Sequence, residues 1–162
     1  MRTVYGRIGG SKNGLDVSLS YDETKLTGRV GGTVVGMDVH LTLEGDPMST
    51  QHVSGRVGGA LRGFDVHGEV HPNLVLVRLG GLLVGENLKL ELDLSTHTVS
   101  GRYSGAMAGV DAALILKGPQ VTGQIGEHQV NLTVTAPPQI AVLCAGVACK
   151  VLEDTIHAPD AP

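Results

Sequence analysis

The sequence predicts a mainly β domain: a twelve-stranded, antiparallel, up-and-down barrel built from six hairpin repeats and closed around a hydrophobic C-terminal helix. Three observations carry that expectation. A glycine-rich motif recurs along the chain, each copy alternates polar and apolar residues with period two, and the chain ends in a segment that is apolar around its full circumference.

The motif first stands as Gly6-Arg7-Ile8-Gly9-Gly10 and returns every 22 to 27 residues. Its later copies are Gly28-Arg29-Val30-Gly31-Gly32, Gly55-Arg56-Val57-Gly58-Gly59, Val77-Arg78-Leu79-Gly80-Gly81 and Gly101-Arg102-Tyr103-Ser104-Gly105, with a degraded sixth at Gly123-Gln124-Ile125-Gly126. After each of the first five a further glycine follows (Gly14, Gly36, Gly63, Gly85, Gly109), and a second alternating stretch begins. In that second half the inward face reads Leu15, Val17, Leu19 in copy one, Met37, Val39, Leu41, Leu43 in copy two, Leu88, Leu90, Leu92, Leu94 in copy four and Val130, Leu132, Val134 in copy six. The outward face carries Asp38, His40, Thr42 and Glu44, so it meets water.

The first half alternates aliphatic residues with glycine on one face, as in Leu26, Gly28, Val30, Gly32 or Val53, Gly55, Val57, Gly59. Glycine inside a strand marks a close backbone approach, and six such sites predict a bulky neighbour in the lumen. The short link between halves, such as Ala60-Leu61-Arg62-Gly63, suits a tight hairpin. Length variation falls between copies, at Glu44 to Gln51 and at His71-Pro72-Asn73, where turn residues cluster.

Residues 1–135 thus form the six hairpins of a single domain spanning 1–162, followed by a helix over 136–157 and a frayed tail over 158–162. Ala136-Pro137-Pro138 breaks the strand pattern and can open a helix, because proline is tolerated in a first turn. Ile140 to Cys149 is apolar on every side, which marks a buried helix. Lys150, Glu153, Asp154 and His157 share one helical face, the expected polar stripe where the helix leaves the protein. A β-solenoid would also explain the repeats, but not this terminal helix.

The order of elements, together with the end segment Ile140-Ala141-Val142-Leu143-Cys144-Ala145-Gly146-Val147-Ala148-Cys149-Lys150-Val151-Leu152-Glu153-Asp154, resembles the tubby-like superfamily over essentially the whole chain. That superfamily holds tubby C-terminal domains, LURP-one-related proteins and phospholipid scramblases. The resemblance implies a central core helix and a role at a membrane surface. It matches no lipid-headgroup or calcium-binding residue of the family to a position here.

Composition narrows the function classes. The chain has 162 residues, 24 of them glycine, with 41% hydrophobic residues and a formal charge of -4. Mixed charge, one Phe, three Tyr and no Trp leave neither a basic face nor stacking platforms for nucleic acid. The N-terminus shows no signal-peptide pattern, and the ten-residue run Ile140 to Cys149 is shorter than the roughly 20 residues of a membrane span. Cys144 and Cys149 sit about 140° apart around the helix, too far for a disulfide, and read as reduced core thiols of a cytoplasmic protein.

Candidate sites are few. Arg7, Arg29, Arg56, Arg78 and Arg102 form one outward ring, and guanidinium groups suit anion recognition. Asp16, Asp38, Asp65 and Asp111 share their face on the partner strands, opposite or one diagonal away, so a ladder of cross-strand ion pairs explains the same ring. Copy six, with Gln124 and no aspartate, loses both partners together. His67, Glu69 and His71 share a strand face, but the two histidines lie about 13 Å apart along it and cannot chelate one ion. Gly9-Gly10-Ser11-Lys12-Asn13-Gly14 lacks the ending of a P-loop, and no catalytic, metal or cofactor residue is nominated. The expected function is a non-catalytic structural or binding module, with an anionic phospholipid or a protein surface as partner. The alternative is an enzyme or small-molecule carrier with a pocket at one barrel mouth.

Overall fold

The computed structural model describes residues 2–10, 13–81, 84–104 and 109–156. The six repeats form six antiparallel hairpins: β1 (Arg2–Ile8) with β2 (Leu15–Tyr21), β3 (Lys25–Gly31) with β4 (Gly36–Gly45), β5 (Gln51–Gly58) with β6 (Gly63–His71), β7 (Leu74–Gly80) with β8 (Gly85–Asp93), β9 (Thr98–Ser104) with β10 (Gly109–Lys117), and β11 (Gln120–Ile125) with β12 (His128–Val134). Each strand pairs with its chain neighbours, and β1 pairs with β12 from Val4↔Val134 to Ile8↔Val130, so the sheet closes into a barrel without an edge.

Register explains the size of the lumen. Asp16 faces Arg7 across the first hairpin, while Ser18, two residues along, faces Arg29 of the next. The same step of two separates Asp38 from His40, Asp65 from His67, Asn87 from Lys89, Asp111 from Ala113 and Gln129 from Asn131. A circuit therefore returns to β1 displaced by twelve residues, equal to the number of strands. Equal strand number and shear correspond to a strand tilt of about 36°. With strands about 4.8 Å apart, twelve of them close at a diameter of about 23 Å. A helix backbone of radius about 2.3 Å on the axis leaves about 9 Å to the wall, the depth of one leucine and one small side chain.

Helix α1 (Pro138–Ile156) fills that space. Every residue from Gln139 to Leu152 is buried, and the helix touches strands on opposite sides of the barrel, including β1, β7 and β12. Inward side chains such as Ile8, Leu26, Leu41, Val57, Leu79, Leu90 and Ile125 make one continuous core with Ile140, Leu143, Val147 and Val151. The wall is apolar inside and carries Asp, His, Arg, Thr and Lys outside, the reverse of the lipid-facing band of a transmembrane barrel.

Three expectations need correction. First, the inward glycines mostly make room for the neighbouring strand and not for the helix. A Cβ on Gly28 would strike Ser18 O and lie 2.9 Å from Leu19 Cα, and one on Gly55 would strike His40 O and lie 2.8 Å from Leu41 Cα. Both residues have φ near +145°, a conformation that side chains rarely adopt, so these glycines let the strands coil around the barrel. Clearance for the helix is found at Gly9, where a Cβ would lie 2.8 Å from Leu152 Cδ2, and on the helix itself at Gly146, which abuts the Leu88 side chain. Second, Gly32 and Gly59 lie beyond the ends of β3 and β5, and Leu94 lies beyond β8 and is exposed.

Third, the helix does not leave the protein at Lys150. That residue is buried, its ammonium bound to carboxylates of the wall and the helix, and only from Glu153 onward does exposure rise. The helix starts at Pro138, two residues later than expected, with Pro137 capping it through a carbonyl that accepts from the Ile140 and Ala141 N–H groups. His157 and the expected tail over 158–162 lie outside the described residues.

Candidate functional site: the mouth formed by the glycine loops

The two ends of the barrel are built differently. At one end the turns between repeats are held by aspartates: Asp22 accepts hydrogen bonds from the backbone N–H groups of Thr24 and Lys25, and Asp93 from those of Ser95 and Thr96. These backbone donors hold the Asp22 carboxyl below the usual range, and the Ser95 hydroxyl, followed by the backbone donors, does the same for Asp93. The helix begins at this end, where Gln139 Nε2 donates to Pro47 O and Tyr21 donates to Gln51. At the other end lie the loops within the repeats, flanked by glycine, and here the helix ends.

The arginine ring stands just below these loops. Each arginine faces its partner directly across the hairpin: Arg7 with Asp16, Arg29 with Asp38, Arg56 with Asp65 and Arg102 with Asp111, at 2.8 to 3.0 Å. Arg78 faces Asn87 and donates to its side-chain oxygen at 3.1 Å. The guanidinium also reaches forward to the loop, where Arg29 donates to Gly32 O at 2.9 Å and Arg56 and Arg78 to Gly59 O and Gly81 O at 2.8 Å. One side chain thus ties the partner strand and the loop carbonyl together. In copy six, Gln124 faces Gln129.

Beyond the ring, the loop tips are apolar and bare. Leu61 is 99% exposed, Val34 93% and Val84 82%, and Val35, Val110 and Ile156 at the same mouth are also exposed. Six of the eleven exposed large hydrophobic residues among those described lie here, so the apolar surface is concentrated at one end. Among the described residues, the apices of the second, third and fourth hairpins, Val34, Leu61 and Val84, lie side by side at this mouth and form an apolar crown over that arc. Sequence reading passed over these residues because periodicity scores strands and not tips. The signal was present in the alignment of the copies, where Thr33-Val34-Val35, Ala60-Leu61-Arg62 and Leu82-Leu83-Val84 contrast with Ser11-Lys12-Asn13. Residues 11, 12, 82, 83 and 105–108 lie outside the described residues.

Under the crown, the last turns of α1 carry a polar cluster. Lys150 Nζ lies 2.7 Å from Glu86 Oε2 on β8, 3.1 Å from Asp154 Oδ1, and 5.1 Å from the centre of the Phe64 ring. Burial pulls the ammonium down, but its bonds to the two carboxylates outweigh that and leave it above the ordinary lysine value. Burial likewise holds the Asp154 carboxyl above its usual range despite Lys150. His128 Nε2 lies 2.7 Å from Glu153 Oε1, joining the helix to β12. Tyr103 is buried beside the cluster, its hydroxyl without a hydrogen-bond partner among the described residues, and burial raises its pKa. Cys144 and Cys149 are free and buried, and burial pushes the Cys149 thiol up to about 12, so neither is an activated nucleophile.

Between the second and third hairpin loops a groove of about 780 Å³ opens onto the end of the helix, with Val34, Val35, Met37 and Leu61 on its walls and Arg62, Asp154 and Thr155 at its polar edge. The histidines nominated and rejected in the sequence stand on the outer wall. His71 lies 3.1 Å from Glu69 and 3.0 Å from the Thr50 hydroxyl, while His67 faces Arg78. Among the described residues, no three His, Cys, Asp or Glu side chains are placed to hold a metal ion, and no helix is long and apolar enough to cross a membrane. Compared with family models, with curated proteins and with solved structures, the chain matches none.

Proposed function

We propose that this protein is a non-catalytic docking module that meets a lipid surface with the mouth formed by its glycine loops. The crown of apolar apices carries the reading. Three consecutive hairpins set Val34, Leu61 and Val84 at the same mouth, and a row of separate aliphatic points suits a flat, fluid surface better than a protein partner, whose contact core favours aromatic and arginine anchors. Full burial of each valine or leucine is worth about 1.5 to 3 kcal/mol, so three apices together reach the scale of reversible membrane attachment. The arginine ring lies at the depth of the headgroups, where guanidinium groups suit phosphate, while the aspartates opposite limit its net charge. The resemblance to tubby-like proteins points in the same direction.

Co-sedimentation with vesicles of phosphatidylcholine, with and without phosphatidylglycerol, tests this. Binding to both compositions is expected, reduced about tenfold or more in Val34→Ser/Leu61→Ser/Val84→Ser, with the circular dichroism spectrum unchanged. No sedimentation with either vesicle, or equal sedimentation of the triple variant, overturns it. Concentration-dependent dimerisation lost in the same variant would assign the crown to a second copy instead.

A further inference from the structure

The groove between the second and third hairpins has a chemistry of its own. Its walls are aliphatic, its volume of about 780 Å³ falls within the range of small-ligand sites, and its floor is the C-terminal end of α1. Its charged edge is almost fully paired: Arg29 holds Asp38 at 2.9 Å, Asp154 holds Lys150 at 3.1 Å, and the Thr155 hydroxyl donates to Val151 O at 2.7 Å. Arg62 is different. Its side chain is exposed at the rim and makes no hydrogen bond or ion pair with the described residues, although arginine is the residue best shaped to hold a carboxylate with two parallel bonds. The groove therefore combines one apolar trough with one guanidinium that no carboxylate among the described residues engages.

We infer that this groove binds a single fatty carboxylate, its chain lying along Val34, Val35, Met37 and Leu61 and its head on the Arg62 guanidinium. The inference rests on the lipid-facing mouth and names a ligand within it. A bilayer touching the crown would deliver such chains directly to the trough, and a chain with one anionic end matches both the aliphatic wall and the Arg62 guanidinium.

Calorimetric titration of the intact protein with dodecanoate below its critical micelle concentration tests the inference, with dodecan-1-ol and acetate as controls. Dodecanoate should bind, acetate should not, and the alcohol should bind about tenfold or more weakly, because it lacks the charge that completes the contact. Arg62→Met should weaken dodecanoate by a similar factor and leave the alcohol unchanged; the position is exposed, so folding is not at stake. Bound dodecanoate should also shift the methyl resonance of Met37. No binding up to about 1 mM, or equal binding by Arg62→Met, overturns the site. Vesicle binding is scored separately: a protein that sediments with vesicles but ignores dodecanoate loses the groove alone, and one that binds dodecanoate but no vesicle keeps the groove and loses the docking surface.

Discussion

Lys150 Nζ lies 2.7 Å from Glu86 Oε2, an ion pair that fastens the end of the central helix to the barrel wall with only 8% of the lysine side chain exposed. Lys150→Met leaves Glu86 and Asp154 without their cation and is expected to cost about 2 to 4 kcal/mol in urea unfolding. The double variant Lys150→Met/Glu86→Leu should recover most of that loss, since a packed apolar pair can replace a buried ionic one. A double variant no more stable than the single one would remove the ion pair as the cause. The pKa of Lys150 is raised in the fold, so its contribution is whole below the unfolded value near 10.5 and is lost as pH rises through the folded one.

Two glycines of one repeat should respond in opposite ways to alanine. Gly55 has φ +146° and a Cβ there would strike the backbone of β4, whereas a Cβ on Gly59 meets nothing within 4 Å. Gly55→Ala is expected to destabilise by about 2 to 3 kcal/mol, and Gly59→Ala to stay within about 0.5 kcal/mol of the parent. Thermal melts of the two variants decide it, and equal effects would contradict the strand-coiling role.

Gly146 sits against the Leu88 side chain, which a Cβ at that position would strike. Alanine would add about 1 kcal/mol of helix propensity, but the new methyl group would displace the leucine, at about 1 to 3 kcal/mol for an overpacked core. A net loss is expected for Gly146→Ala, relieved in Gly146→Ala/Leu88→Val. A stabilised single variant would show that the lumen has slack.

The two thiols should resist Ellman's reagent in the native protein near pH 8 and react at the rate of unfolding. Both pKa values are raised by burial, so the neutral thiols favour the fold fully below the unfolded value of 9.0, and this contribution fades as pH rises, for Cys149 through about 12. Chemical denaturation at pH 8 and pH 11 should show a drop that Cys149→Ala makes shallower. Rapid labelling of the folded chain would refute the burial.

The hairpins, the closure and the enclosed helix were legible because each has a period: two for strands, full-circumference apolarity for α1, and 22 to 27 residues for the unit. The pairing of Arg56 with Asp65 was legible for the same reason, since their places in the repeat set them on the same face of paired strands. The role of Gly28 is not legible in the sequence, because a glycine pattern does not say which neighbour approaches, and here it is Ser18 O on the adjacent strand. Lys150 reads as solvent-facing in the sequence because its partner Glu86 lies 64 positions away in the chain, where no local pattern reaches. Val34 and Leu61 escaped notice because one exposed aliphatic residue in a loop carries no signal until the copies are superposed.

The two-residue step between hairpins ties the number of copies to the occupant of the lumen. Ten strands of the same tilt would close at about 19 Å and crush the side chains around a central helix, while fourteen would close at about 26 Å and leave a shell of empty space. A chain that gained or lost one unit would thus have to redesign α1 from Ile140 to Leu152 at the same time. Duplication, the easy route by which repeat arrays lengthen, is barred here: the terminal helix acts as the gauge that holds the count at six.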